Sequence, residues 1–120
     1  MIIGIHQPEH LPWNGFFDKV DQSDIFVLLD NVPFEKNYFQ NRNRIRTRDG
    51  WAWLTVPVYT SGRFSQLINE VEIIKNSNWR KKHWKTLFYS YKNAPYWERC
   101  AEFFKSLYQK EWHYLVDLNE

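Results

Sequence analysis

Two histidines four residues apart, His6 and His10, enclose Glu9 in the stretch HQPEHLPWNGFFDK, residues 6–19. An imidazole titrates close to neutral pH and so suits a general base. A His pair at this spacing on a helix can hold zinc, but Pro8 and Pro12 exclude a regular helix and no third ligand is evident, so no metal site is expected. His6 directly follows the apolar start MIIGI, which places it at a strand end, where ligands bind in open α/β sheets. It is therefore the candidate base, while a loop-capping role fits His10 equally well. Gly15, ahead of a short helix, would let backbone N–H groups approach an anion. Asp30 follows the apolar run Ile25–Leu29. It stands at a second strand end, as a partner for His6 or as a plain turn residue.

Basic residues cluster in QNRNRIRTR, residues 40–48. Strand alternation puts Arg42, Arg44, Arg46 and Arg48 on one face and Asn41, Asn43, Ile45 and Thr47 on the other. Like charges in such a row need an anion or acids opposite them, and guanidinium forks suit phosphate or carboxylate. Asn41, Arg42 and Asn43, next to Tyr38 and Phe39, are the candidate ligand contacts, whereas Arg46 and Arg48 read as a solvated face. In NWRKKHWK, residues 78–85, the cations read as a wet helix face. His83, at helical spacing between Trp79 and Leu87, reads as partly buried, with a core or capping role. Cys100 lies in an apolar stripe and reads as core. There is no Walker loop, glycine-rich dinucleotide fingerprint or CxxC pair, so no cofactor is expected.

These residues need elements to hold them. Ile2–Ile5 and Ile25–Leu29 read as short strands, the second buried on both faces, joined through a helix over Phe16–Val20. That order is a parallel βαβ-like opening. Asn41–Thr47 and Trp51–Val58 flank Arg48-Asp49-Gly50 as a hairpin. Leu54 and Val56 then face inward, and Trp51 and Trp53 outward. Glu70–Lys75 reads as another strand. Three helical segments follow: from Ser77 or Asn78 to about Lys92, from Ala94-Pro95 through a stripe of Tyr96 or Trp97, Cys100, Phe103, Phe104 and Leu107, and over Glu111–Leu118. The fold class is α/β: a short, partly parallel sheet with a β-hairpin insertion, followed by two to three C-terminal helices.

The 120 residues suffice for one domain, residues 1–120, with an ordinary globular balance of 43% hydrophobic and 25% charged residues. Seven Trp within a 19% aromatic content supply core area and also line sugar, base and protein surfaces. A net charge of +2 is too mild to argue for nucleic acid. A single cysteine excludes an intrachain disulfide and fits a cytoplasmic compartment. No stretch approaches the length of a membrane span, so no membrane insertion is expected. Apolar Leu115, Val116 and Leu118 at the end want partners, which suggests the first part of a longer chain. Oligomeric state is not legible.

The stretch IHQPEHLPWNGFFDKVDQSDIFVLLDNVPFEKNYFQNRNRIRT resembles the opening of the WbqC-like protein family. The similarity continues through GWAWLTVPV, INEVEI, NWRKKHWKTL, YKNAPYW and the final DLN. This resemblance implies a bacterial protein linked to O-antigen or other surface-polysaccharide biosynthesis, and aminoacyl or acyl transfer to an activated amino sugar. Its pattern covers His6, Gln7, Trp13, Gly15, Lys19, Asp30, Asn41, Arg42, Asn43 and His83, and adds Gln7, Trp13, Lys19 and His83 to the candidate substrate contacts. His10 departs from the pattern, where an aromatic is more usual. The resemblance also implies a second half beyond the DLN segment.

Together these readings favour a transferase acting on a nucleotide-linked amino sugar. His6 would be the base and Asp30 its orienting partner. Arg42 and Lys19 would face phosphate, and Asn41 and Asn43 polar ligand edges. The rival is a non-catalytic module that binds a sugar, nucleotide or partner protein. RNA contact through Arg42–Arg48 and Arg80–Lys85 is the least favoured of the three.

Overall fold

A computed structural model describes all residues, Met1–Glu120. Strand β1 (Ile3–His6) leads through a proline-bearing loop into helix α1 (Asn14–Asp21) and returns as β2 (Ile25–Leu28). The strands pair in parallel, Ile3 with Ile25 and His6 with Leu28, so their carboxyl ends coincide. Gly4 permits the close return: a Cβ there would lie 2.2 Å from Ser23 Oγ and 2.9 Å from the Phe26 ring.

Helix α1 covers one face of this pair through Phe16, whose ring meets Phe26 and His6 edge-on. The other face is open. Ile3, Ile5, Ile25 and Val27 are 57, 52, 48 and 40% exposed. The expectation of a strand buried on both faces therefore fails for β2, because α1 is the only helix packed on the pair and it takes only one side.

Strands β3 (Arg42–Thr47) and β4 (Gly50–Thr55) form the expected antiparallel hairpin, closed by Arg48-Asp49 with Gly50 at φ +139°. Ile45 and Leu54 turn inward. With Val56, Val71, Ile73, Trp79, Leu87, Tyr108, Leu115 and Leu118 they make the core. Burying each large apolar side chain here contributes roughly 1.5–3 kcal/mol.

Residues 70–75 do not form the expected strand. A 3-10 turn, Ile68–Glu70, precedes single bridges of Ile73 to Val58 and of Glu72 to Tyr114. The segment threads between β4's extension and the C-terminal residues, and each side offers it one pairing position.

Helix α2 (Trp79–Tyr91) buries Trp79, His83 and Leu87. Helix α3 (Trp97–Gln109) begins two residues beyond Pro95, and α4 (Leu115–Asn119) begins four residues later than the expected Glu111. Helix α3 packs through Tyr108, with Phe104 and Leu107 partly buried. Cys100 and Phe103 are exposed, so the reading of Cys100 as core is corrected: that side of the helix looks onto a cavity instead of a neighbouring element. No helix is long and apolar enough to cross a membrane.

Candidate functional site

The loop after β1 is held from three sides. Asn43 Nδ2 donates to the carbonyl of Leu11 at 2.7 Å, and the His10 amide donates to the Phe39 carbonyl at 3.0 Å. The third support comes from the far end of the chain, where Asn119 Nδ2 donates to the Gln40 carbonyl at 2.7 Å. Buried Gln40 accepts from the Glu35 amide and donates to Gln7 Oε1 at 2.6 Å. Leu11 sits at φ +46°, a left-handed conformation that costs an L-residue roughly 1–2 kcal/mol and that these contacts offset.

The amide orientations fix two imidazole tautomers. Asn119 spends its N–H on Gln40, so its Oδ1 is the acceptor that meets His10 Nδ1 at 3.0 Å, and Nδ1 carries the proton. His83 Nε2 meets the Thr55 carbonyl at 2.9 Å and so carries the proton there. His10 Nε2 and His83 Nδ1 are left as buried acceptors without partners, with the ring centroids 6.2 Å apart. The Tyr108 hydroxyl, in the ring cluster with His83, is likewise unpartnered. Burial lowers the His10 pKa to about 4, lowers that of His83, and raises that of Tyr108. All three are neutral at physiological pH.

His6 ends β1 and is partly exposed. Its Nε2 lies 3.0 Å from Glu9 Oε1, and its ring stands edge-on to Phe16. Glu9 is thus the carboxylate that orients His6, a role the sequence left to Asp30. Asp30 does lie at the same end of the sheet, since the Leu29 amide donates to the His6 carbonyl at 2.8 Å. Its carboxyl instead faces Asn69, whose Nδ2 donates to Asp30 Oδ1 at 3.5 Å. Burial first, then the charges of Asp30 and Asp117, push the Glu120 pKa up.

The other expected residues are dispersed. Asn41 donates to the Val56 carbonyl, and Asn43 braces the loop. Lys19 Nζ donates to the Ile5 carbonyl at 2.5 Å, and Arg42 to the Asn37 carbonyl at 2.6 Å while lying over Trp53. Trp13 folds its indole over Gly15, where a Cβ would come within 2.1 Å of the ring. The glycine therefore makes room for that side chain at the α1 N-terminus. His83 is interior.

A cavity of about 860 Å³ opens beside this loop, walled by His10, Leu11, Pro12 and Phe17, by the Cys100–Phe103 side of α3, and by Asp117–Glu120. Most of its wall is apolar, with a polar end at His10, Asn119 and Glu120. Sequence reading missed Glu9, Gln40, Asn119 and Glu120 as site-builders. Only the i, i+3 spacing of Glu9 to His6 signalled one of them.

The family model of the WbqC-like protein family matches residues 7–120. An uncharacterized protein of Mycobacterium tuberculosis is 37% identical over 111 residues, covering 92% of this chain and 48% of the relative. The chain thus spans about half the length of that relative. No solved structure matches. A family match running from the site loop to the last residue, through the segments that build the site, shows that this chain belongs to the WbqC-like protein family.

Proposed function

We propose that this chain acts on a nucleotide-activated amino sugar, as a transferase that places an aminoacyl or acyl group on the sugar amine in surface-polysaccharide biosynthesis. The observation that supports this reading is the position of His6, ordered by Glu9, and of Asp30 at the shared carboxyl end of β1 and β2. With Nε2–H given to Glu9, His6 Nδ1 is the base that takes the proton from the attacking amine. The nitrogen bonds the carbonyl carbon of an activated acyl donor, and the donor's leaving group departs with the displaced electron pair. Glu9 meets the imidazolium so formed. Asp30 would hydrogen-bond the sugar, Arg42 and Lys19 would meet the diphosphate, and the apolar cavity has room for the acyl group. Residues 1–120 would be one cytoplasmic domain, the N-terminal portion of a longer chain.

A screen of nucleoside-diphosphate amino sugars by thermal shift, followed by turnover with acyl and aminoacyl donors, tests this reading. His6→Ala should abolish turnover yet keep the ligand-induced shift, and full turnover in that variant refutes the assignment of the base. The alternative, a binding module without catalysis, is favoured by how many polar side chains near the loop are spent on structure, Asn41, Asn43 and Gln7 among them. It predicts the shift without any turnover.

A further inference from the structure

The outer face of the β3–β4 hairpin is a two-by-three grid. The register sets Arg42 opposite Thr55, Arg44 opposite Trp53 and Arg46 opposite Trp51, so an arginine row runs beside a tryptophan row. Arg44, Arg46, Trp51 and Trp53 are exposed. The Arg42 guanidinium lies 4.1 Å from the Trp53 ring centroid, and that of Arg44 lies 5.3 Å from Trp51 and 5.6 Å from Trp53. Phe39 extends the aromatic row beyond Trp53, and Tyr38 meets Phe39 edge-on. The ion pairs of the molecule engage Glu9 and Glu72, and none reaches these arginines. Three cations therefore share one strand face with no acid to offset their repulsion. Exposed tryptophans in such a setting serve no core. A guanidinium stacked on an indole still presents N–H groups to an anion: Arg44 makes no side-chain hydrogen bond, and Arg42 spends one N–H on the Asn37 carbonyl.

We propose that this face binds single-stranded nucleic acid, with successive phosphates along Arg42, Arg44 and Arg46 and bases stacked on Trp53 and Trp51. The spacing supports it. Alternate residues of an antiparallel strand lie ~6.8 Å apart, comparable with one nucleotide repeat of an extended single strand. That polymer alone brings one anion and one planar ring per repeat. An acidic glycan has the anions without the planar rings, and a duplex hides its base faces. The net charge of +2 does not foreshadow this, because the feature is local. The face lies on the outer side of the hairpin and shares only Arg42 with the function proposed above, so variants of Arg44 and Trp51 test it without touching that reading.

The test is fluorescence anisotropy of a labelled uridine oligomer of about eight nucleotides, long enough to span the grid, titrated with the whole chain. Three phosphate contacts give a log–log salt slope near −2, or about 20-fold weaker binding from roughly 50 to 200 mM salt. Arg44→Gln should flatten the slope by about 0.7. Trp51→Ala should weaken binding about fivefold or more while leaving the slope in place. Both side chains are exposed, and circular dichroism checks that each variant folds. An abasic oligomer loses both stacks and should bind the wild type more weakly than the uridine oligomer binds Trp51→Ala. No binding at low salt with protein at about 100 μM overturns the proposal, that being the weak end of nonspecific nucleic-acid affinity. Equal binding of the abasic oligomer overturns it in favour of a general polyanion surface, and tighter binding of a duplex overturns it as well.

Discussion

Asn119 stands one residue from the end of the sequence, where chains ordinarily fray and substitutions cost little. Here its amide bridges two segments far apart in sequence, the loop at His10 and the stretch at Gln40. Oδ1 accepts from His10 Nδ1 at 3.0 Å and Nδ2 donates to the Gln40 carbonyl at 2.7 Å, while Leu115, Val116 and Leu118 bury α4 beneath it. Asn119→Ala leaves an N–H of His10, a residue 2% exposed, and the carbonyl of Gln40, a residue 1% exposed, without these partners. Each buried polar group so stranded costs about 1–3 kcal/mol, so the substitution should cost about 2–6 kcal/mol. That is a large share of the roughly 5–15 kcal/mol that holds a domain folded. For a chain of this length about 1 kcal/mol moves the Tm by roughly 3–6 °C, and a fall of at least 6 °C is expected. Thermal and urea unfolding followed by tryptophan fluorescence measure it. Glu111→Ala, exposed ahead of α4 and outside every side-chain hydrogen bond, is the control and should stay within about 0.5 kcal/mol of the parent. If Asn119→Ala lowers the Tm by less than about 2 °C, α4 frays and the loop after β1 is not anchored from the C-terminus.

The remaining expectations concern pH and backbone. The His10 pKa is about 4 in the folded chain and near 6.5 when unfolded, so the unfolded state takes up its proton first. Its stabilising contribution is complete above about pH 6.5 and is lost as pH falls toward 4, by about 3 kcal/mol in all. His83, shifted the same way by burial, adds to the loss. Urea midpoints measured across that range should show the decline, and His10→Asn should make it shallower. Gly4→Ala should destabilise by about 1–3 kcal/mol through contact with Ser23 and Phe26. A Ser23→Ala background, which removes the nearer atom, should recover part of the loss in the same unfolding assay. Gly50→Ala meets no atom within 4 Å, yet its φ of +139° should cost about 1–3 kcal/mol. An unchanged Tm there would mean that the hairpin turn relaxes to another form.

Local pattern carried the elements that local physics determines. The five-residue apolar run at Ile25–Leu29, the prolines of the first loop and the Asp-Gly turn allow few arrangements, and β1, α1, β2 and the hairpin with its inward Leu54 and Val56 appear accordingly. The α2 pattern buries Leu87 as its spacing requires. Strand alternation also placed Arg42, Arg44 and Arg46 together, and the register then set Trp51 and Trp53 beside them. What alternation cannot encode is coverage. Ile25 and Val27 look buried in sequence and are exposed, because exposure depends on whether another element packs over that face. Cys100 and Phe103 likewise fit an apolar stripe, and the packing of α3 through Tyr108 turned them to a cavity. The site differs in the same way. His6 and Asp30 were legible as strand ends, a local property. The His6–Glu9 pair left only its i, i+3 spacing as a trace, and the His10–Asn119 partnership left none, since a hydrogen bond across 109 positions is a fact of chain closure and leaves no periodicity to read. The polar residue types of the first loop were written in the sequence. Tertiary contacts alone decided that His10 is buried and neutral while His6 is the histidine left partly open to solvent.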